Sequence, residues 1–193
     1  MARVRDIEID EVAEDLRPLY RRFAGDYGPF HNQVRVFAHR PPALRHVMGL
    51  LVALAEEAVV SRRHIEIAVL AVSRVNACAY CVAHHAPRLL AEGLTPETAE
   101  RILEPDCPGL DQTDRLVRDY AVAVTRDPAR IPDALFDRLR ASFDEAQIVE
   151  LTLRAALCGF FNRFNDALGI AIEDEALAEA MAVGGGERAN AGP

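Results

Sequence analysis

Apolar residues recur every three to four positions along most of the chain, which is the spacing of amphipathic helices. Few stretches alternate at period two, so the pattern favours helix over strand nearly throughout. Proline, glycine and capping residues divide the pattern into segments. We predict an all-α bundle of about nine or ten helices, at about 10–26, 30–38, 42–59, 62–75, 78–91, a short one from 96, then 111–125, 133–142, 144–168 and 173–183.

Several of these boundaries have a stated chemical cause. Ser61 and Asp144 precede apolar periodic runs and can accept hydrogen bonds from the first free backbone amides of a helix. Gly93 and Gly169 stand just after such runs, where a helix commonly ends in a left-handed residue. Gly28-Pro29 should break the chain after the first helix, because proline cannot continue a helix.

Length and composition indicate one globular domain. The chain has 193 residues, of which half are hydrophobic, so it can bury a core without disulfide staples. We expect residues 1–183 to form a single helical domain and the glycine-rich residues 184–193 to be a disordered tail.

Charge and hydropathy exclude several function classes. All 22 basic residues are arginine. The formal net charge is −8, and this negative charge argues against binding to nucleic acid or to an anionic membrane surface. The first residues hold no apolar signal-peptide core, and no apolar stretch is long enough for a membrane span. We therefore expect a cytoplasmic protein, where paired cysteines are more often catalytic, redox-active or metal-binding than structural.

The segment from Cys78 to His85 holds two of the four cysteines and two of the six histidines. Cys78 and Cys81 are three residues apart, almost one helical turn, so their sulfurs can approach bonding distance. Free backbone amides and the dipole at a helix start favour a thiolate. His85 follows one turn later, where its imidazole can accept a thiol proton.

Glu66 is the candidate partner of this histidine. If the helices on either side of Asn76-Ala77 are antiparallel, residue 66 lies opposite residues 87 and 88, one turn from His85. Its neighbours along the chain are apolar, so the carboxylate is expected to be buried. A carboxylate in that place can orient an imidazole and stabilise its charge, as the third group of a catalytic triad does.

Simpler interpretations of the motif remain open. Cys78 and Cys81 could bind a metal together with His84 or His85, although the sequence offers no clear fourth ligand. The cysteine pair could also be inert, and Glu66 could serve only as a structural ion-pair partner.

The neighbouring residues suggest less. We expect His84 to lie at the surface or at an interface, because it points away from His85 on a helix. Tyr80 is expected to pack rather than to take part in chemistry, and Cys107 and Cys158 are expected to be incidental.

A weak internal repeat accompanies the motif. The spacing from Glu66 to the two cysteines recurs from Glu150 to Asn162 and Asn165. The recurrence could mark a duplicated helical unit that keeps thiols only in its first copy, or it could be chance.

The motif resembles that of the alkylhydroperoxidase D (AhpD) and carboxymuconolactone decarboxylase superfamily, in particular its uncharacterised peroxidase-related branch. The stretch SRVNACAYCVAHH is similar to the branch's pattern S-x-x-N-x-C-x-Y-C-V-x-x-H. Two further segments are similar to the helices of that branch, and the resemblance covers roughly residues 10–180. These segments are FAHRPPALRHV at 37–47 and FFNRFNDALGI at 160–170.

The resemblance implies an all-helical protein that assembles into dimers, trimers or hexamers, and a thiol peroxidase that needs no cofactor or metal. It implies that Cys81 attacks a hydroperoxide and Cys78 resolves the resulting sulfenic acid as a disulfide. His85, oriented by Glu66, would accept the thiol proton, and a dithiol or thioredoxin-like donor would reduce the disulfide. Tyr80 departs from AhpD itself, which usually has histidine there, so reduction of a partner peroxiredoxin is not implied.

The order of the two cysteines and the reaction itself have alternatives. Helix geometry alone favours Cys78, nearer the helix start, as the more acidic thiol, whereas the position of His85 and the resemblance favour Cys81. The same residues could serve a general protein-disulfide reductase or a redox sensor. Less favoured are a metal-binding module and a decarboxylase that uses His85 as its base, since decarboxylases of the superfamily generally lack the cysteine pair.

Overall fold

The computed structural model describes residues 2–25 and 30–185, and every regular element in these ranges is helical. The prediction of an all-α fold is therefore confirmed. The α-helices are α1 Arg17–Ala24, α2 His31–Phe37, α3 Pro41–Ala43, α4 Gly49–Glu57, α5 Arg62–Val75, α6 Ala79–Ala91, α7 Pro96–Glu100, α8 Gln112–Arg126, α9 Asp133–Ser142, α10 Glu145–Leu168 and α11 Asp174–Gly185. A π-helical turn joins α3 to α4, and three 3₁₀ turns occupy Ile9–Glu11, Glu14–Leu16 and Pro128–Arg130.

The helix ends follow the capping chemistry of the sequence. The Ser61 hydroxyl accepts a hydrogen bond from the third backbone amide of α5 at 3.2 Å. Asp144 and Gln147 exchange two hydrogen bonds at the start of α10, which satisfies backbone amides that have no partner within the helix. Gly169 ends α10 with a φ of +61°, a conformation that glycine adopts without a steric penalty.

The first predicted helix is wrong in its extent. Instead of one helix over 10–26, two 3₁₀ turns precede α1, with extended backbone at Val12 between them. Pro18 explains the late start, since proline is tolerated only in the first turn of an α-helix.

The structure tests only part of two further predictions, the disordered tail at 184–193 and the helix break at Gly28-Pro29. Gly184 and Gly185, assigned to a disordered tail, belong to α11. The remainder of the predicted tail and the break at Gly28-Pro29 lie outside the described residues.

Buried apolar side chains form two clusters in the described chain. The first, which we call the central core, joins α5, α8 and α10 through residues such as Leu70, Val117 and Leu151. The second, the N-terminal core, is built from α1, α2 and the α3–α4 region, and it also contains Cys78 and Cys81. The cysteine segment therefore lies between the two cores, and this placement positions the candidate site. None of the described helices is long and apolar enough to span a bilayer.

Candidate active site at the α5–α6 hairpin

A tight turn between α5 and α6 creates the site. Ala77 has a left-handed backbone with a φ of +55°, and the amide of Cys78 donates to the carbonyl of Ser73 at 3.0 Å. This closes the turn and sends α6 back along α5, and the two helices are extensively packed against each other. Cys78 is the residue before the first turn of α6, and Cys81 is the third residue of the helix.

The antiparallel hairpin brings Glu66 of α5 against His85 of α6. The imidazole Nδ1 lies 2.8 Å from Glu66 Oε2, and Arg88 Nη1 lies 3.8 Å from Oε1 of the same carboxylate. Because a carboxylate accepts, Nδ1 carries the proton and Nε2 is left as the basic nitrogen of the neutral ring. Glu66 is only 3% exposed, so this interaction is largely shielded from water.

Opposing influences set the charge of this pair. Burial raises the pKa of Glu66. The interaction with His85 and the charges of Arg88 and Arg62 lower it by more than burial raises it, so the pKa lies below its ordinary value. Burial lowers the pKa of His85 by more than the Glu66 carboxylate raises it. The lowered pKa of His85 favours a neutral imidazole beside the carboxylate, which is the form that a general base requires.

Both thiols of the motif are buried. The side-chain amide nitrogen of Asn165, on α10, donates to Cys81 Sγ at 3.4 Å. Gln33 Nε2 donates in turn to the side-chain oxygen Oδ1 of Asn165 at 2.9 Å. A hydrogen bond from its thiol to Cys81, followed by burial, raises the pKa of Cys78 well above that of a free cysteine. The two sulfurs are thus neighbours, and Cys78 favours its protonated form.

A small cavity distinguishes the two cysteines. It measures about 60 Å³, and its walls include Cys81, His85 and Glu66 together with apolar side chains such as Phe30 and Phe161. Cys78 is not among the described residues that form these walls. The structure therefore gives Cys81 and the imidazole a common space, which we call the inner cavity.

His84 contradicts the expectation of a surface position, since it is 3% exposed. Its Nδ1 donates to the Tyr80 carbonyl at 2.7 Å, its Nε2 lies 2.8 Å from Glu173 Oε2, and its ring stacks on Phe30. The N-terminal core covers this side of α6, which periodicity along one helix does not reveal. Tyr80 was expected only to pack against other side chains, but its hydroxyl also donates a hydrogen bond to Glu173 Oε1 at 2.9 Å.

Glu173 is a buried site neighbour that sequence reasoning missed. It precedes α11 and accepts from the Asn32 amide at 2.7 Å as well as from the tyrosine of α6. Burial raises the pKa of Glu173, but the contact with His84 and the backbone hydrogen bonds outweigh burial and hold the pKa below its ordinary value. Its chain segment, IEDEALAEA, reads only as an acidic helix start, so the sequence holds no signal for this contact.

Asn165 was also given no role from sequence. The only signal was its spacing from Glu150, which repeats the spacing of Cys81 from Glu66. In the structure α10 is one continuous helix, unlike the α5–α6 hairpin, so the two stretches do not have the same local geometry.

The two remaining cysteines lie apart from the motif's chemistry. Cys158 also borders the inner cavity, but its thiol contacts the carbonyl of Val69 at 3.4 Å and burial raises its pKa to about 12. Cys107 is buried near the carbonyl of Thr98, and burial raises its pKa as well. Within the described ranges, no group of three or more histidine, cysteine or acidic side chains is placed to hold one metal ion.

Comparison with known proteins gives one family match. Residues 41–108 match the model of the carboxymuconolactone decarboxylase family. The uncharacterized protein YdfG of Bacillus subtilis (strain 168) is 29% identical over 115 residues, which cover 57% of this chain and 76% of that protein.

Solved structures share the fold over most of the chain. An uncharacterized peroxidase-related protein from Ralstonia eutropha JMP134, described as an AhpD core, has a TM-score of 0.76 at 22% identity and covers 93% of this chain and 96% of its own. The debrominase Bmp8 has a TM-score of 0.76 at 19% identity over 92% of this chain and 96% of its own, and its cysteine-to-alanine variant was solved with 2,3,4-tribromopyrrole. A protein of unknown function from Agrobacterium tumefaciens, linked by name to the antioxidant defence protein AhpD, has a TM-score of 0.63 at 25% identity over 70% and 93%.

Proposed function

We propose that the chain, whose residues 41–108 match the carboxymuconolactone decarboxylase family, is an AhpD-like member of this superfamily and a thiol peroxidase that reduces organic hydroperoxides. Cys81 is the attacking thiol, Cys78 the resolving thiol, His85 the base and Glu66 the group that orients the base. The observation that carries the proposal is the inner cavity, where Cys81 and His85 share one space while Glu66 holds the far side of the imidazole.

The first step is removal of the Cys81 proton. The Nδ1–H group of His85 donates a hydrogen bond to Glu66, so Nε2 is the nitrogen that accepts the thiol proton, either directly or through one water. The imidazolium that forms is stabilised by the buried carboxylate, and the Asn165 amide donates to the thiolate sulfur. A thiolate is the form that attacks peroxides.

The next steps balance without any cofactor. The Cys81 thiolate attacks the terminal oxygen of the hydroperoxide, so that an S–O bond forms, the O–O bond breaks, and an alkoxide leaves. The imidazolium of His85 returns its proton to the alkoxide, giving an alcohol and a sulfenic acid on Cys81. Cys78 then attacks the Cys81 sulfur, an S–S bond forms, and water leaves. An external dithiol reduces the disulfide by thiol exchange, which completes the cycle.

The position of Cys78 supports this order of the two thiols. Cys81 borders the inner cavity together with His85, whereas the described lining does not include Cys78, and a resolving thiol needs only to lie beside the sulfenic acid.

Assembly and location are proposed on separate grounds. We propose a homo-oligomer, because α10 presents Val149, Leu153 and Phe160 to solvent at spacings that place them along one helix face. Light scattering at several concentrations tests this. We also propose a cytoplasmic location, because paired cysteines that are catalytic or redox-active rather than structural are typical of that compartment.

The experiment that tests the function is mass spectrometry of the cysteines after one equivalent of cumene hydroperoxide. We expect the wild type to lose two hydrogens at Cys78 and Cys81, and Cys78→Ser to trap a sulfenic acid on Cys81. Cys107→Ala, at a buried cysteine outside the walls of the inner cavity, is the matched control and should behave as the wild type. A sulfenic acid on Cys78 in Cys81→Ser would reverse the order of the thiols. A reduced pair after excess peroxide, with bromide released from 2,3,4-tribromopyrrole, would replace the peroxidase by a dehalogenase.

A further inference from the structure

We propose that the hydroperoxide substrate carries a carboxylate, so that the enzyme acts on the hydroperoxides of organic acids. This inference rests on the peroxidase function proposed above. The peroxide group would enter the inner cavity, and the rest of the molecule, with its carboxylate, would occupy a second and larger cavity lined by arginines.

The size of the inner cavity makes a second binding space necessary. A cavity of about 150 Å³ in another protein is enough for one benzene molecule. The inner cavity, at about 60 Å³, holds a peroxide group and little more. An organic hydroperoxide that reaches Cys81 must therefore keep most of its body outside this space.

The second cavity lies directly beside the first, and we call it the outer cavity. It measures about 230 Å³, and its walls share Ile65, Glu66, Arg88 and Arg154 with the inner cavity. The apolar part of its wall comes from α4 and the start of α5, with side chains such as Val52. By comparison with the benzene cavity, this volume fits a body of roughly nine non-hydrogen atoms.

The charged side chains around the outer cavity indicate the chemical class of the substrate that it can hold. The outer cavity is lined by four arginines and only two glutamates, although the chain as a whole has a net charge of −8. The arginines come from three separate parts of the fold, α1, α5–α6 and α10. Two further carboxylates, Glu92 and Glu150, pair with Arg62 and Arg154, so each arginine has an acidic partner and an anion binds here by displacing one of them.

The two glutamates of the wall differ in how easily an anion can displace them. Glu66 is already engaged by His85 and Arg88 inside the protein. Glu56 pairs with Arg22 at 2.6 Å, but both side chains are about half exposed, and an exposed ion pair contributes little stability. A substrate carboxylate can therefore replace Glu56 as the partner of this arginine.

Arg62 offers the second contact. Its side chain is 63% exposed and lies 3.5 Å from Glu92, another weak surface pair. Guanidinium groups bind carboxylates with two parallel hydrogen bonds, which also fixes the direction of the ligand. The amphiphilic outer cavity thus matches a compact apolar body that ends in a carboxylate.

The test compares cumene hydroperoxide with its para-carboxylate analogue, which differs only by the anionic group. Stopped-flow measurement gives the rate constant for oxidation of the reduced enzyme by each peroxide in a single turnover. The ratio of the two constants is taken within each variant, so a change in thiol reactivity cancels. The variants are Arg62→Gln, Arg22→Gln and the control Arg126→Gln, whose arginine lines a different basic cavity.

We expect the wild type to prefer the carboxylate by about tenfold or more, the size of a hydrogen bond between charged groups. Arg62→Gln and Arg22→Gln should each lower the ratio several-fold, and Arg126→Gln should keep it. Equal rate constants in the wild type, or an equal loss in Arg126→Gln, overturn the inference while the peroxidase stands. If neither these peroxides nor hydrogen peroxide oxidises Cys81, the proposed function fails, and this inference fails with it.

Discussion

The charge of Glu66 can be removed without changing its shape, and Glu66→Gln is therefore the sharpest test of the proton relay. The glutamine amide oxygen can still accept the His85 Nδ1 proton at the observed 2.8 Å. Only the attraction between a carboxylate and an imidazolium is lost. Both side chains are largely buried, so solvent screens this attraction weakly.

The expected loss follows from the geometry. Two unit charges about 4 Å apart interact by about 4 kcal/mol at the effective dielectric of a protein. Glutamine keeps part of this interaction through its dipole, so we expect about 2–4 kcal/mol of lost imidazolium stabilisation. Since each 1.36 kcal/mol is tenfold in rate, oxidation of Cys81 near pH 7 should slow by roughly 30- to 1000-fold.

The assay is single-turnover oxidation by cumene hydroperoxide between about pH 6 and pH 9.5. At high pH hydroxide removes the thiol proton and His85 stays neutral, so the carboxylate charge no longer matters. The deficit of Glu66→Gln should therefore shrink as the pH rises. Glu150→Gln is the matched control. Glu150 is as buried as Glu66 and pairs with Arg154, an arginine of the cavity wall, but its described contacts include no histidine. Its pH profile should keep the wild-type shape.

Two outcomes would refute the reasoning about the relay. A wild-type rate for Glu66→Gln at neutral pH would show that the carboxylate does not support the base. A deficit of the same size at every pH would show that Glu66 acts only on the structure. In either case His85 would lose its assigned orienting partner, although the cysteine chemistry could remain.

Three further changes test neighbouring contacts. Asn165→Ala removes a donor to the Cys81 sulfur, and single-turnover oxidation should slow by about 3- to 10-fold. Glu173→Gln should lower the free energy of unfolding at pH 7 by about 1.5–3 kcal/mol in urea titrations. Because the folded-state pKa of Glu173 is lowered, its contribution is present above the ordinary carboxyl pKa and lost as the pH falls through the folded value, so the two proteins should converge in acid. Gly109→Ala should cost more stability than Gly93→Ala, since both have positive φ but only Gly109 would bring a Cβ within 2.9 Å of a neighbouring side chain. Equal melting temperatures for the two alanine variants would contradict this.

Local sequence determined the helices and the core of the candidate site. Ser61, Asp144 and Gly169 act where their own chain segments place them, because caps and breaks depend on neighbouring backbone groups. The juxtaposition of Glu66 and His85 was predicted on the condition that the two helices joined at Asn76-Ala77 run antiparallel, and the structure has that arrangement. The roles of these residues and of the cysteines in catalysis remain predictions.

Tertiary packing decided what surrounds the motif. The donor to Cys81 comes from a residue 84 positions away, and the acceptor of the Tyr80 hydroxyl from one 93 positions away. No helical periodicity relates such distant positions, because their contact depends on how α10 and the start of α11 pack against α6. The same packing buried His84 and gave Cys81, rather than Cys78, a place in the cavity wall. A sequence pattern fixes which face of a helix a side chain occupies, but only the neighbouring elements decide whether that face meets solvent, a core or a cavity.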